Sequence, residues 1–264
     1  MTTGLDSMSE RERGARCEAS GINSVTSARY PTPKTSQRVE AASLYRLMSW
    51  LTPAYPVGAY TYSGGIEWAV EAGDICDADS LRRWLATLLQ HGSLFSDAVI
   101  FVNAHRAVAR RDAKAVGAIA ELAAALPGSK ERFLETTSQG QAFLQITRST
   151  WPSPALDRLL AAWDGPLAYP VVVAAACAGH RVAVAPSLQA LLHAAASNLI
   201  SAGMRLIPLG QTDGQRALAA LEGPIMRTAK DALASRIDDI ATATPRADIA
   251  GMRHETQHTR LFRS

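Results

Sequence analysis

The chain has 264 residues, of which 47% are hydrophobic and 19% are charged, and its formal net charge is +3. This length and apolar content suffice for one large domain, or two small ones, with a core that is stable without disulfides or metals. A net charge so close to zero gives no reason to expect a nucleic-acid or membrane partner.

The three cysteines, Cys17, Cys76 and Cys177, are odd in number and share no C-x-x-C spacing. We therefore expect neither a disulfide framework nor a structural zinc site. Cys177 lies in an apolar run and is predicted to be buried, whereas Cys76 lies in a predicted loop and is expected to be exposed. This cysteine usage and the lack of an apolar signal region predict a cytoplasmic protein.

Residues 1–40 are polar, with Gly, Ser, Thr and Pro spread through them and few large apolar side chains. Such a segment cannot bury enough surface to offset its own ordering entropy, so we predict a disordered leader. From residue 41 to residue 264 the pattern is helical almost throughout. The sequence thus predicts an all-α fold, a single bundle-like helical domain that ends in a docking tail from about residue 245.

Polar residues mark where several of these helices begin. Asp79 or Ser80 can cap the helix "LRRWLATLLQH", and Ser129 and Ser153 can cap two later helices. The segment Thr212–Gln215 has the spacing of a capping box and is predicted to start another helix.

The longest helix is predicted from Pro186 to about Ile207, with leucines and alanines along one apolar stripe. Polar residues, among them Asn198 and Arg205, interrupt it. A buried Arg205 would need hydrogen-bond acceptors, which carbonyl groups or a carboxylate such as Glu67 could supply. We interpret these residues as a structural network.

Before these helices, the stretch "PAYPVGAYTYSGG" is predicted to be a structured loop because prolines and glycines recur in it. It carries Tyr55, Tyr60 and Tyr62. Loops with several aromatic residues are costly to leave in water, so the tyrosines either pack onto the domain or are offered to a partner. The sequence leaves both alternatives open.

The tail contains His254-Glu255-Thr256-Gln257-His258, a literal H-E-x-x-H. On a helix this spacing would place two zinc ligands one turn apart, beside a glutamate base. A zinc peptidase also needs a third ligand, yet no acidic residue follows His258, and the longer zinc motif would need Gly and His where Leu261 and Ser264 stand. A zinc-dependent hydrolase is therefore the alternative, and a non-enzyme is the leading interpretation. Neither a nucleotide-binding P-loop nor a G-x-S-x-G motif occurs in the chain.

Three motifs together resemble the UreF family of urease accessory proteins. They are "PAYPVGAYTYSGGIEWAVEAG", "SNLISAGMRLIPLGQTDGQ" and the terminal "DIAGMRHETQHTRLFRS". They stand in the family's order, and the resemblance extends from about Ser43 to Ser264. In this pattern His254 and Glu255 belong to the tail motif, whereas His258 replaces an aromatic residue and completes the H-E-x-x-H by coincidence.

The resemblance implies an all-α, non-enzymatic adaptor, or chaperone, that forms a homodimer and serves urease maturation. Its implied partners are a UreD/UreH-type accessory protein, the nickel-carrying GTPase UreG and, through the complex, the urease apoprotein. It also implies that no cofactor is bound stably by this chain, with nickel and GTP on the partner GTPase.

The tail is where we predict partner recognition, because it combines arginines with apolar anchors and would order on binding. We further expect Arg260 to stack on, or hydrogen-bond to, the tyrosine loop, especially Tyr60. We predict no catalytic and no metal-binding residue. The predicted partner-binding residues are Tyr60, Tyr62, Glu67, Arg205, Gln211, Asp213, His254, Glu255, Arg260, Leu261 and Phe262.

Overall fold

The computed structural model describes the backbone of residues 35–263 and the side chains of residues 40–263. Within that range the chain forms twelve α-helices, two short 3-10 helices and no strand, which confirms the all-α prediction. The 3-10 helices are Ala59–Thr61 and Ile237–Asp239. The α-helices, numbered α1 to α12 in chain order, are Thr35–Trp50, Ile66–Glu71, Ala78–His91, Ser93–Arg110, Ala113–Ala125, Lys130–Thr150, Pro154–Ala162, Tyr169–Gly179, Val184–Leu206, Gln211–Ala220, Glu222–Ala234 and Pro245–His254.

The predicted disordered leader lies largely outside the described residues, which begin at Thr35. Its last residues, 35–40, belong to the first turns of α1. The C-terminal half of α1 is anchored by Leu47 and Trp50, which are buried, whereas Tyr45 on the same helix is 67% exposed. Trp50 packs edge-on against Phe143 of α6 at a centroid distance of 6.3 Å.

Local hydrogen bonds explain several helix starts. Ser129 and Ser153 accept from backbone N–H groups at the starts of α6 and α7, as predicted. The cap of α3 is instead Asp77, which exchanges hydrogen bonds with Ser80 as a capping box, so the prediction of Asp79 or Ser80 as the cap was wrong.

The predicted start of α10 was also wrong. The helix begins at Gln211, because the carbonyl of Gly210 already accepts from the N–H groups of Asp213 and Gly214, both at 3.1 Å. Thr212 therefore lies inside the first turn and does not cap it.

Helix α8 lies in the middle of the core, against α4, α6 and α7. All its residues from Pro170 to Cys177 are buried. A helix surrounded on every side needs no polar face, which explains why this run shows no amphipathic stripe. The predictions for the cysteines are confirmed: Cys177 is buried and Cys76 is exposed. Burial raises the pKa of the Cys177 thiol to about 12.

One stretch of the described chain, Ala78–Arg110, is long and apolar enough to cross a membrane by composition. It consists of α3 and α4, and Gly92 between them has extended backbone angles that break the helix. Helix α4 packs against α3, α5, α8, α9 and α11, so this stretch forms core of the helical domain.

The last helix, α12, packs on α2 and α6. Its contact with the start of α2 is very close: a Cβ placed on Gly65 would lie 2.8 Å from the backbone nitrogen of Gly251. Arg246 strengthens the same contact through a forked ion pair with Asp74, at 2.7 and 3.1 Å. The chain that follows α12 is thereby directed back over α2.

Candidate partner-binding site at the C-terminal tail

The carboxylate of Glu67 holds the tail after α12. Gly64 and Gly65, both with positive φ, turn the chain into α2 and place Glu67 in its first turn. Glu67 Oε1 accepts from the backbone N–H of Leu261 at 2.6 Å, and Oε2 accepts from that of Phe262 at 2.9 Å. A side chain of the helical domain thus replaces the hydrogen bonds that these two tail amides would otherwise make with water.

These contacts alter the acidity of Glu67. Burial raises the pKa of the carboxyl, but hydrogen bonds from Leu261, His254 and Phe262 together outweigh burial. The pKa therefore lies below its ordinary value of 4.5. Glu67 is ionised near neutral pH, which is the form that can accept all three hydrogen bonds.

His254, the last residue of α12, lies between two carboxylates. Its Nε2 is 3.0 Å from Glu67 Oε2, and its Nδ1 is 2.6 Å from Glu131 Oε2. The imidazole is 0% exposed. Because both nitrogens donate only in the imidazolium form, that form would place one positive charge between the two acids. His254 thus joins α2, α6 and α12 at a single point.

Glu131, in the first turn of α6, is a member of this site that the sequence analysis missed. Besides facing His254, it accepts from Arg260 Nη1 through Oε1 at 2.6 Å. An acidic residue two positions after the helix cap Ser129 is common, because it complements the helix dipole. That local role gave no sign of partners more than 120 residues later in the chain.

Two further tail contacts reach the same surface. Glu255 Oε1 accepts from the backbone N–H of Lys130 at 2.7 Å and so satisfies a free donor at the start of α6. Gln257 Nε2 donates to Glu71 Oε2 at 2.6 Å. We call the set Glu67, Glu131, His254, Glu255 and Arg260 the tail clamp.

Arg205 of α9, and not Arg260, meets the tyrosine loop. Its guanidinium carbon lies 3.8 Å from the ring centroid of Tyr60 and 4.2 Å from that of Phe262, so it is sandwiched between loop and tail. Arg205 also donates to the carbonyl oxygens of Tyr60 and Ser201. The expected pairing of Arg260 with Tyr60 was wrong, because the turn after α12 directs Arg260 toward α6.

The suggested pairing of Arg205 with Glu67 was wrong as well. Arg205 donates its hydrogen bonds to carbonyl oxygens, which was the other alternative. The carboxylate of Glu67 is hydrogen-bonded to His254 and to the tail amides instead. Asn198, on the same helix, donates to the carbonyl of Ala59 at 3.0 Å. The structural network expected around Arg205 therefore exists, with the tyrosine loop and the tail as its partners.

Two of the three loop tyrosines pack onto the domain, and the third is exposed to solvent, where a partner can reach it. Tyr55 and Tyr62 are buried, and Tyr55 Oη lies 2.7 Å from Thr147 Oγ1. Tyr60 is 63% exposed, and in the tail Leu261 is 64% exposed while Phe262 is only 4% exposed. Beside these buried anchors, the loop therefore exposes the ring of Tyr60, and the segment after α12 exposes the apolar side chain of Leu261.

Gln211 and Asp213 lie elsewhere, in the first turn of α10, which packs on α3, α9 and α11. Asp213 forms an exposed ion pair with Arg216 at 3.2 Å. Among the described residues, no hydrogen bond or ion pair joins Gln211 or Asp213 to the tail clamp.

The H-E-x-x-H geometry of a zinc peptidase is not formed. Helix α12 ends at His254, so His258 lies beyond the helix, where its side chain is exposed. Both nitrogens of His254 already face carboxylates, and Glu255 caps α6. Among the residues whose side chains the structure describes, no three His, Cys, Asp or Glu side chains are placed to share a metal ion.

The fold and the clamp together define an all-α protein whose C-terminal tail is bound back onto its own helices. The sequence model of the UreF family matches residues 75–222 of the chain. The urease accessory protein UreF of Rhodopseudomonas palustris (strain HaA2) is 57% identical over 225 residues, which cover 85% of this chain and 95% of that protein. UreF of Bradyrhizobium sp. (strain ORS 278) is 55% identical over 232 residues, covering 88% and 96% respectively.

The chain therefore belongs to the UreF family. It is a non-catalytic urease accessory protein, which excludes the alternative of a zinc-dependent hydrolase.

Proposed function

We propose that this protein acts in urease maturation as an adaptor that links a UreD/UreH-type accessory protein to the nickel-carrying GTPase UreG. The complex inserts nickel into the urease apoprotein in the cytoplasm. Nickel and GTP are bound by the GTPase, and this chain contributes binding surfaces as a homodimer.

The observation that carries this proposal is the tail clamp. The tail was expected to order on binding, but Glu67 and Glu131 already hold it in the chain alone. Ordering a free tail on binding would cost affinity, whereas a tail that is already held presents its side chains at fixed positions. The clamp leaves Leu261 and Tyr60 exposed, and Arg205 lies between the rings of Tyr60 and Phe262. Tyrosine and arginine side chains on a rigid base are typical of the energetic centre of an interface.

The proposed partner-binding residues divide into three groups by this geometry. Glu67, His254, Glu255, Arg260 and the buried rings of Tyr62 and Phe262 position the tail. Tyr60, Arg205 and Leu261 form the surface that the UreD/UreH-type protein contacts. Gln211 and Asp213 are proposed as a second contact region, at the start of α10.

The test is co-expression with the UreD/UreH-type protein, followed by quantitative capture. Leu261→Ala removes an exposed side chain without touching the clamp. Because burying a leucine in an interface contributes about 1.5 kcal/mol or more, we expect an affinity loss of about 10-fold or more. The matched control is Met226→Ala on α11, where a large apolar side chain is 49% exposed outside the tail. Undiminished capture by Leu261→Ala, and also by a chain that ends at residue 254, would contradict the proposal.

The remaining parts of the proposal have separate tests. Light scattering of the purified chain and of the complex should give two copies of this chain per particle. Metal analysis of the complex loaded with nickel and GTP should place nickel in proportion to the GTPase. A monomeric chain in the complex, or nickel retained by this chain alone, would contradict these parts.

A further inference from the structure

A cavity of about 380 Å³ lies between α4, α6, α9 and α12, beside the tail clamp. Its walls are largely apolar, with Leu51, Leu94 and Leu192 among them. Two large apolar side chains at its lining are open to solvent: Leu126 is 38% exposed and Met252 is 48% exposed. A small molecule inside the cavity would leave these two side chains in water, whereas a polypeptide laid over the opening would cover them.

Four carboxylates and one guanidinium line the cavity. Arg132 pairs with Asp97 and with Glu135, and Glu131 is engaged by His254 and Arg260 of the tail clamp.

Asp248, in the first turn of α12, also lines the cavity. Its carboxylate makes no hydrogen bond or ion pair with any described residue. Burial raises the pKa of Asp248, with nothing to offset the effect. A cation delivered from outside would stabilise this carboxylate.

Ser96 is an independent observation that points to a polar group of a ligand in the cavity. This residue of α4 lines the cavity, is 6% exposed, and its hydroxyl has no hydrogen-bond partner among the described residues. Buried hydroxyl groups in folded proteins nearly always have a partner, and an orphaned one calls for an explanation.

We propose that this cavity receives a segment of a partner protein in which a lysine or arginine is flanked by apolar side chains. The apolar part of the segment covers Leu126 and Met252 and enters between the leucines. Its cationic end pairs with Asp248, and a polar group of the segment meets Ser96. The inference rests on the proposed adaptor function, and it assigns that function a third contact surface of defined chemistry, separate from Leu261 and Tyr60 and from the start of α10.

The test uses the full chain and an array of overlapping peptides that together cover the UreD/UreH-type protein and the UreG-type GTPase. We expect the peptides that bind to carry Lys or Arg between apolar residues, and to lose about 10-fold in affinity when that cation is changed to Glu.

Two variants locate the binding. Ala195→Phe fills the cavity from α9 and should abolish binding of these peptides. Asp248→Asn keeps the shape and should weaken binding several-fold, with less dependence on salt. Matched controls are Ala219→Phe and Asp231→Asn, which change exposed residues of α10 and α11 outside the cavity. Asp248→Asn keeps the proposal testable even where Ala195→Phe fails to fold.

Equal binding of the Arg and Glu peptides, or binding that neither cavity variant alters, would overturn the inference. If Ala195→Phe changes only self-association in light scattering, the occupant is a second copy of this chain and the proposal is wrong. If the cavity variants have no effect while Leu261→Ala still weakens capture, only this inference fails and the adaptor function stands.

Discussion

At the scale of single residues, the tail depends on His254, which separates two acids in the protein interior. Its ring is 0% exposed, and the side chains of Glu67 and Glu131 are 8% and 11% exposed. Removing the ring would leave two buried carboxylates without the group that faces both of them, and a buried charge left without a partner is costly.

We predict that His254→Ala lowers the free energy of unfolding by about 3 kcal/mol, measured by guanidinium chloride titration. The matched control is His258→Ala, which removes an exposed imidazole from the same tail and should change stability by less than about 0.5 kcal/mol. Equal effects of the two variants would show that the ring of His254 is not held as described.

Glu67 makes the docking of the tail sensitive to acid. Its pKa in the folded protein is below the ordinary value of 4.5. Its contribution to stability is therefore complete above that ordinary value and is lost as the pH falls through the lowered pKa.

In an NMR titration from pH 6 to strong acid, the amide resonances of Leu261 and Phe262 should shift together, with a midpoint below 4.5. Glu67→Gln should remove that transition. A midpoint at or above the ordinary value would contradict the assignment of Glu67 as the acceptor of both amides.

At the scale of elements, the tail is positioned by the close approach of α12 to the start of α2. Gly65 has a φ of +80°, and its absent side chain leaves room for the backbone of Gly251. Gly73 has a φ of +78° but has nothing within 4 Å of where its Cβ would be. Both glycines need a positive φ, and they differ in that only Gly65 lies against the backbone of Gly251.

Gly73→Ala should therefore cost about 1 kcal/mol of stability, the ordinary penalty of a left-handed alanine. Gly65→Ala should cost clearly more and should also expose the tail to carboxypeptidase, because α12 must move away from α2. Equal losses of stability in thermal unfolding, with the tail protected in both variants, would contradict this account of the contact.

Element boundaries were predictable where a single side chain decides them. Ser129 and Ser153 begin helices because each hydroxyl accepts from an N–H a few residues later, which is a local interaction. Asp77 and Gly210 were missed as the N-cap residues of α3 and α10. Several neighbouring residues at each helix start could serve as the N-cap, and only the backbone angles decide which of them does.

At the scale of the whole molecule, protonation of the buried His105 side chain affects the free energy of unfolding. It lies on α4, and its Nε2 is 2.9 Å from the carbonyl oxygen of Val182. Burial lowers the pKa of His105 below its ordinary value of 6.5, and Arg106 adds to this effect, although the hydrogen bond to Val182 opposes it. A lowered pKa means that the folded state binds the proton more weakly than the unfolded chain.

The free energy of unfolding should therefore fall as the pH drops from 6.5 through the lowered pKa. His105→Gln keeps a donor for Val182 and should remove this part of the pH dependence, as measured by urea denaturation at a series of pH values. The control His91→Gln, at an exposed histidine, should keep the wild-type slope. A slope unchanged by His105→Gln would reject His105 as its source.

The sequence alone determined the helical class, several helix starts and the family resemblance, because periodicity, capping and motif order are properties of neighbouring residues. It also identified most of the clamp, since Glu67, His254, Glu255 and Arg260 all lie in the family motifs. Only the tertiary structure decided that Arg205 meets Tyr60 and that Glu131 receives His254 and Arg260. Those pairs are brought together by the packing of α2, α6, α9 and α12. Glu131 and His254 are separated by 123 positions in the sequence, and no local signal in that stretch indicates their approach.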